Sequence, residues 1–416
     1  MSSSIVSTQN RVESPFIILK IGNYTFGHCS DMSRRSSMQQ TLRVTFPNYM
    51  QSLNIIKING AVNTYTIRME YGITEADDPN MLEKVFSSVA TTREIKLSYG
   101  DWNIPTFIYK EETAIITKVQ SNVDFNNSKI IYTIKCVSSA LALQAGSFSF
   151  GARTAKPSDV LFELLNNQAY GLTTIFSGMR NMSKTALAGL ISRDDKKVKI
   201  EAKQSINILD YISYLVNCMV SQNDPGGKLK KSNYYWAVYD DINNTYGGTY
   251  FKVIRVDAGV QYNISYNTYE VDVGYPSGSY VSSFTLNSDE TWSILYNYST
   301  DVQQPEYSYS INREGDIVST ESPAITKSAK YLKTTEADKT WWSQMTQFPV
   351  TAKLTIKGLL RPALLMSYIK VNTYFFGHKH ISSGLYIITK QEDTIDSSGY
   401  KTTLSLTRIS GDTSYA

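Results

Sequence analysis

The sequence predicts a mainly β chain with an α+β middle domain and two β-barrels of one design. Three observations lead there. Tyr supplies 30 aromatic side chains against 15 Phe and 5 Trp, and a ring with a polar tip suits half-buried strands and interfaces. Apolar and polar residues alternate on either side of turn signals through most of the chain. A two-strand segment also recurs, without a gap, at an offset of 272 residues.

The 416 residues suffice for about three compact units at ~150 residues each. Charged residues make up 19% and the net charge is +4 on 41 basic and 37 acidic side chains. This balance argues against a dedicated nucleic-acid binder, which usually carries a basic stripe. Hydrophobic residues reach 42%, yet no run approaches the ~18 apolar residues of a membrane helix. Met1 to Asn10 lack the charged-then-apolar order of a secretory signal, so the Asn-x-Ser/Thr sites such as Asn181 and Asn263 need not be glycosylated. Cys29, Cys136 and Cys218, odd in number and scattered, read as reduced thiols of a cytosol-made protein.

Residues 1–45 read as an N-terminal arm with one or two strands around Phe16 to Ile21 and Leu42 to Phe46. A first barrel is expected over 46–145. Leu53, Ile55, Tyr65, Ile67 and Met69 alternate about Asn59-Gly60, a hairpin signal. Asp77-Asp78-Pro79-Asn80 leads into a helix over Met81 to Val89, with Leu82, Val85 and Phe86 at helical spacing. Ile95 and Leu97, Ala114 to Thr117 and Ile130 to Val137 supply further strands, the last two joined by a turn over Asp124 to Ser128.

The α+β middle domain is placed at 146–265. Lys156-Pro157-Ser158-Asp159 starts one helix, and Ile206, Leu209, Ile212, Leu215, Val216 and Met219 mark another. Tyr234 to Tyr239 and Thr249 to Val256 then form a hairpin. Strands resume over 266–300 and 350–412, the second barrel, interrupted by a polar insertion at 301–349.

The repeat aligns Ile115-Ile116-Thr117-Lys118 with Ile387-Ile388-Thr389-Lys390. The same offset pairs Asp124 with Asp396, Lys129 with Lys401, Ile134 with Leu406, Val137 with Ile409 and Ser138 with Ser410. Two strands and a turn of identical length are therefore expected twice. With gaps, Ile95 and Leu97 match Leu354 and Ile356, and the Leu53 to Met69 hairpin matches Phe284 to Leu295. Two modules in one chain let three copies present six similar units.

The order Asn59-Gly60, Asp78-Pro79-Asn80, Tyr99-Gly100-Asp101, Ile116-Thr117, Pro157-Ser158-Asp159-Val160-Leu161, Gly384-Leu385-Tyr386-Ile387-Ile388 and Gly399-Tyr400-Lys401-Thr402 resembles the baseplate central hub proteins of contractile-tailed phages and related injection machines. The resemblance implies two tail-tube-like barrels, a homotrimer with a pseudo-sixfold ring, and a structural adaptor between a hexameric tail tube or tube-initiator protein and a trimeric central spike. It further implies baseplate wedge neighbours, a tape-measure protein in the lumen and a place in the virion tail baseplate, assembled in the host cytoplasm. Neither sequence-specific nucleic acid nor membrane insertion is expected. Barrel strands from Leu53 to Val137 and from Phe284 to Ile409 would pair laterally with neighbours, so that open edges vanish within the ring.

No residue is assigned a catalytic, cofactor or metal role, and no enzyme activity or cofactor is expected. His378-Lys379-His380 puts two imidazoles on one side of a strand and His28-Cys29 lies far off, but no second close pair completes a zinc set. The acid pairs Glu111-Glu112 and Asp77-Asp78 read as solvated turns and strand ends, since sequence neighbours in a strand point to opposite faces. Asp224-Pro225-Gly226-Gly227-Lys228 lacks the phosphate-loop spacing. Lys196-Lys197-Val198-Lys199 and Lys228 to Lys231 read as solvated surface, and Cys136 and Cys218 as inert packing. Trp341-Trp342 reads equally as core or as an interface anchor. An alternative function, a β-rich carbohydrate-binding or polysaccharide-degrading protein, would use exposed Tyr and these Trp to stack on sugars, with paired carboxylates in a cleft.

Overall fold

The structure, a computed structural model, describes residues 15–29, 44–47, 49–74, 78, 80–88, 93–101, 112–170, 172–179, 182, 184–192, 197–219, 232–239, 249–257, 267–273, 281–288, 307–311, 317–321, 350–357, 365–376, 378–380 and 382–411. In the N-terminal third, strands β1 (Pro15–Ile21), β2 (Tyr24–Cys29), β3 (Phe46–Pro47), β4 (Met50–Ile58) and β5 (Thr64–Gly72) precede helix α1 (Met81–Ser88). Strands β6 (Glu94–Asp101), β7 (Glu112–Asp124) and β8 (Lys129–Ser138) follow.

The middle region begins with short strands β9 (Phe148–Phe150) and β10 (Arg153–Ala155). Helices α2 (Pro157–Asn166), α3 (Leu172–Ile175) and α4 (Lys184–Leu190) lead to β11 (Val198–Ile200), β12 (Lys203–Ile206) and α5 (Ile208–Asn217). The hairpin of β13 (Ser232–Tyr239) and β14 (Tyr250–Asp257) comes last. Pro157 occupies the first turn of α2, where a missing N–H costs nothing. Asn207 caps α5 by accepting from the Asp210 N–H at 2.8 Å. The apolar stripes of both helices are buried with Trp236, Phe251 and Val253 of the hairpin in one core.

The C-terminal part contains β15 (Asn267–Val273), β16 (Val281–Ser288), β17 (Tyr307–Ile311), β18 (Ile317–Glu321), β19 (Val350–Lys357), β20 (Tyr368–Phe375), β21 (His378–Lys379), β22 (Gly384–Asp396) and β23 (Gly399–Gly411). β17 and β18 make a separate hairpin within the expected insertion. Trp341 and Trp342 lie outside the described residues, as do Glu111, Asp77 and 220–231.

Among the described residues fifteen strands share one sheet, in the order β16-β19-β23-β22-β4-β5-β8-β7-β6-β1-β2-β3, with β20 paired to β22, β15 and β21. Two sets of five antiparallel strands correspond in this order: β4-β5-β8-β7-β6 and β16-β19-β23-β22-β20. Matched cross-strand rows fix the equivalence. Leu53 lies opposite Ile67, Ile67 opposite Ile134 and Ile134 opposite Val119. Phe284 lies opposite Leu354, Leu354 opposite Leu404 and Leu404 opposite Gln391.

Two β-bulges recur at equivalent places. Gln51 interrupts the register between Met50 and Ser52 as Ser282 does between Val281 and Ser283. Thr117 interrupts it between Ile116 and Lys118 as Thr389 does between Ile388 and Lys390. The bulge hydroxyls also match: Thr117 donates to the Lys135 carbonyl at 3.0 Å and Thr389 to that of Ser405 at 3.2 Å. A bulge is placed by local sequence and bends its strand, so two recurring at fixed positions mark a duplicated framework.

Three correspondences differ from the sequence reading. The turns are not of identical length: Asp124 pairs with Lys129 across four residues, Asp396 with Gly399 across two. Ile134 is therefore equivalent to Leu404, not Leu406, and Lys129 to Gly399, not Lys401. A shift of two keeps every side chain on its face, which is why the ungapped alignment still matches apolar with apolar. Ile95 and Leu97, opposite Ala114 and Glu112, correspond to Ile369 and Val371, opposite Tyr386 and Gly384. Leu354 and Ile356 correspond instead to Ile67 and Met69. The Leu53 to Met69 hairpin thus recurs as β16 plus β19, with residues 289–349 in place of the Asn59-Gly60 turn.

The flanks differ as well. β1 joins β6 antiparallel, whereas β15 joins β20 parallel. The first set encloses a core that includes Leu53, Ile67, Ile134, Leu97 and Leu19, and residues Ile395 and Tyr400 of the second set enter it. The Asn59-Gly60 turn docks on the middle region: the Gly60 N–H donates to the Trp236 carbonyl at 2.7 Å, and the Asn59 side chain accepts from the Trp236 N–H at 3.2 Å. Gly60 adopts φ +73°, which suits glycine there.

Candidate functional site

The place where the two strand sets meet combines the features expected of a site. Beyond the Thr389 bulge, β22 leaves β20 and pairs with β4, from Lys390 opposite Ile58 to Ile395 opposite Leu53. The bulge makes this possible by turning one thirteen-residue strand into two differently aimed halves. Leu53, Ile55 and Ile395 are wholly buried along the inner side of this seam. On its outer side the Asn54 amide donates to Glu392 Oε1 and Thr394 Oγ1, both at 3.1 Å.

Next to the seam is a buried ionic cluster. Lys57, in phase with Leu53 and Ile55, reaches Glu112 Oε1 at 2.8 Å. The Tyr99 hydroxyl donates to the same oxygen at 2.7 Å and that of Tyr65 to Oε2 at 2.8 Å. Burial disfavours the Glu112 charge, but Lys57 and the hydroxyl donors outweigh it and hold the carboxyl below its ordinary value. Asp393 accepts from Thr402 at 2.6 Å and Gln391 at 2.7 Å. Burial dominates there and pushes its carboxyl up to about 6, against Thr402, Lys57, Gln391 and Tyr400. Glu112 corrects the expectation that the acid pair at 111–112 is solvated: it is 0% exposed. The sign of its role was readable only as a carboxylate on the apolar phase of a strand, as Lys57 and Asp393 also are.

Among the described residues the seam has two open counterparts. The half of β7 beyond Thr117 is equivalent to the seam half of β22. Among the described residues it pairs with β8 alone. Val119 and Val123 there are 39% and 45% exposed, whereas their equivalents Gln391 and Ile395 are fully buried. The outer edge of β16 is equivalent to the seam edge of β4. Among the described residues β16 pairs with β19 alone, leaving Phe284 and Leu286 half-buried where Leu53 and Ile55 are sealed.

The other residues weighed from sequence are not brought together. His28 and Cys29 are buried in β2, while His378 is exposed on β21 and His380 lies just beyond it, its Nδ1 2.8 Å from Ser382 Oγ. Asp78 is exposed and holds the N-terminus of α1 through the Asn80 N–H and Lys84. Burial pushes the Cys136 thiol up to about 12, and Cys218 is buried at the end of α5. Lys199 is exposed on β11. Among the described residues no group of three His, Cys, Asp or Glu side chains is placed to hold a metal ion, and no helix is long and apolar enough to cross a membrane.

No family model and no curated protein matches the chain. Solved structures similar to it include the tail protein from Neisseria meningitidis MC58, at 9% identity and TM-score 0.48, covering 95% of this chain and 97% of that one. The prophage MuSo2 43 kDa tail protein from Shewanella oneidensis is similar at 10% identity and TM-score 0.48, over 95% and 98% of the two chains. The E. coli c3393 protein is a component of the type VI secretion system described as structurally similar to T4 bacteriophage tail proteins gp27 and gp5. It is similar at 8% identity and TM-score 0.45, over 86% of this chain and 73% of that one.

Proposed function

We propose that the chain is a non-enzymatic structural subunit, the baseplate hub of a contractile phage tail or related injection machine. Three copies form a ring of six similar strand sets and join a hexameric tail tube to a trimeric central spike, within the virion baseplate. The observation that carries this reading is the seam: one completed lateral joint per chain, flanked by the two halves of a second. A heterologous joint of this kind closes into a ring or runs on as a filament. Two sets per chain make a sixfold ring threefold in composition, which is what a tube-to-spike adaptor requires. The order of motifs resembling hub proteins supports the same reading.

In this reading 1–45 is an arm on the first barrel (46–145), 146–265 a peripheral α+β domain, and 266–300 with 350–412 the second barrel. The hairpin-bearing segment 301–349 leaves the ring where the first barrel has a tight turn. Light scattering over a concentration series tests the assembly and is expected to converge on three chains. Convergence on two or four, or a monomer at the highest concentration, overturns it.

A further inference from the structure

The two open edges are complementary in a way that names their occupant. Five consecutive residues on each side of the seam have equivalents on an open edge, through the rows and bulges described above. Gln391, Glu392, Asp393, Thr394 and Ile395 of β22 correspond to Val119, Gln120, Ser121, Asn122 and Val123 of β7. Leu53, Asn54, Ile55, Ile56 and Lys57 of β4 correspond to Phe284, Thr285, Leu286, Asn287 and Ser288 of β16. Transferring the seam register sets Val119 opposite Ser288, Ser121 opposite Leu286, Asn122 opposite Thr285 and Val123 opposite Phe284.

We propose that a second copy of this chain fills each open edge, Val119–Val123 of one copy pairing antiparallel with Phe284–Ser288 of the next in that register. The proposal rests on the ring reading above and adds the joint itself.

The chemistry agrees on both faces. On the inner face, Val119, Val123, Phe284 and Leu286 are all partly exposed in the single chain, and joining them removes apolar surface from water at ~25 cal/mol per Å². On the outer face, the Asn54–Thr394 hydrogen bond has its counterpart in Thr285 and Asn122 with the two residue types exchanged. Both are exposed, so each is free to make the same contact. Within Val119–Val123 and Phe284–Ser288 the joint between copies carries no charged side chain: the positions of Lys57, Asp393 and Glu392 are held by Ser288, Ser121 and Gln120. If β4 instead met the β7 edge of another copy, Lys57 would face Val119 in place of Gln391, a mismatch that separates the joint within a chain from the joint between chains.

The test uses the full chain, whose three native cysteines are buried. Asn122→Cys and Thr285→Cys are made separately, mixed and oxidised to disulfide, directly opposed residues lying within ~4.5 to 5.5 Å between Cβ atoms. A covalent dimer is expected from the mixture and from neither variant alone, and it is expected to be absent when Asn122→Cys is mixed with Ser283→Cys, two positions out of register. Both sites are exposed in the single chain, so far-UV circular dichroism of each variant should match that of the parent. The double variant Asn122→Cys/Thr285→Cys should close into a covalent trimer. A trimer by light scattering with no disulfide in the stated register overturns the joint and leaves the ring reading standing. A disulfide in register that closes at another chain number upholds the joint and overturns the trimer. Cross-linking equal in the Ser283→Cys mixture, or none in any mixture, overturns the joint.

Discussion

Lys57 and Glu112 meet at 2.8 Å with the carboxylate fully sealed from solvent and the amine nearly so. They come from β4 and β7, strands separated in the sheet by β5 and β8, so the contact crosses the interior of the first strand set. Removing one partner leaves the other charged and dry, which costs about 3 to 5 kcal/mol. Lys57→Met is therefore expected to lower the denaturation midpoint sharply. Lys57→Met/Glu112→Gln is expected to recover most of the loss, because Tyr65 and Tyr99 keep a hydrogen-bonding partner. Urea titration of the two variants checks this, and equal losses in both would sink the argument.

The bulge threonines give a paired comparison. Thr389→Val removes a donor to the Ser405 carbonyl beside the seam, while Thr117→Val removes the same donor at an open edge where water replaces it. A net hydrogen bond contributes roughly 0.5 to 1.5 kcal/mol. The expected loss is about 1 kcal/mol for Thr389→Val and a few tenths for Thr117→Val in the single chain, read as the difference in unfolding free energy. If the edge is filled on assembly, the Thr117→Val loss should grow in the assembled form.

These residues show what the sequence carries and what it does not. Alternation identified most strands, the Asn59-Gly60 and Lys156-Pro157 regions announced a turn and a helix start through local chemistry alone, and the second helix was legible from apolar spacing while its Asn207 cap was not. The duplicated framework was legible because Ile115 to Lys118 and Ile387 to Lys390 keep both type and spacing. The register shift of two was not, since a period of two makes Ile134 match Leu404 and Leu406 equally well. The ionic cluster was hidden for a different reason. Glu112 looks like a surface acid beside Glu111, and Lys57, brought by tertiary pairing from 55 positions away, together with the Tyr65 and Tyr99 hydroxyls makes its burial tolerable.

The shorter second turn depends on glycine. Gly399 sits at φ +122°, whereas its equivalent Lys129 occupies an ordinary conformation after the four-residue loop. That loop is held by Asp124, which accepts from the N–H groups of Asn126 and Asn127 at 3.1 and 3.3 Å. Gly399→Ala is expected to cost at least ~1 kcal/mol through backbone strain. Lys129→Ala should cost no more than about 1 kcal/mol, the worth of its exposed pair with Glu70. Thermal melting of both variants distinguishes them, and a neutral Gly399→Ala would show that the turn adjusts.

Asp393 makes the pH dependence of the seam calculable in sign. Its folded carboxyl titrates near 6, above the ordinary value of 3.8, so the folded chain holds a proton that the unfolded chain releases. Stability from this group is complete below about pH 4 and is lost as pH rises through about 6. Glu112 acts in the opposite sense: its carboxyl is held below 4.5 when folded, so its contribution is present above that value and lost as pH falls further. Asp393→Asn keeps an oxygen for Thr402 and cannot ionise. Relative to the parent it is expected to match in stability near pH 4 and to exceed it at pH 8. The gain is bounded at about 3 kcal/mol, because each tenfold rise in the carboxyl's proton affinity on folding is worth ~1.4 kcal/mol. Melting temperatures of the two proteins measured between pH 4 and 8 give the difference curve directly. A difference that stays flat across pH 6, or that runs against Asn at pH 8, would mean that Asp393 is already neutralised by Lys57 and that the seam is held by a shared charge.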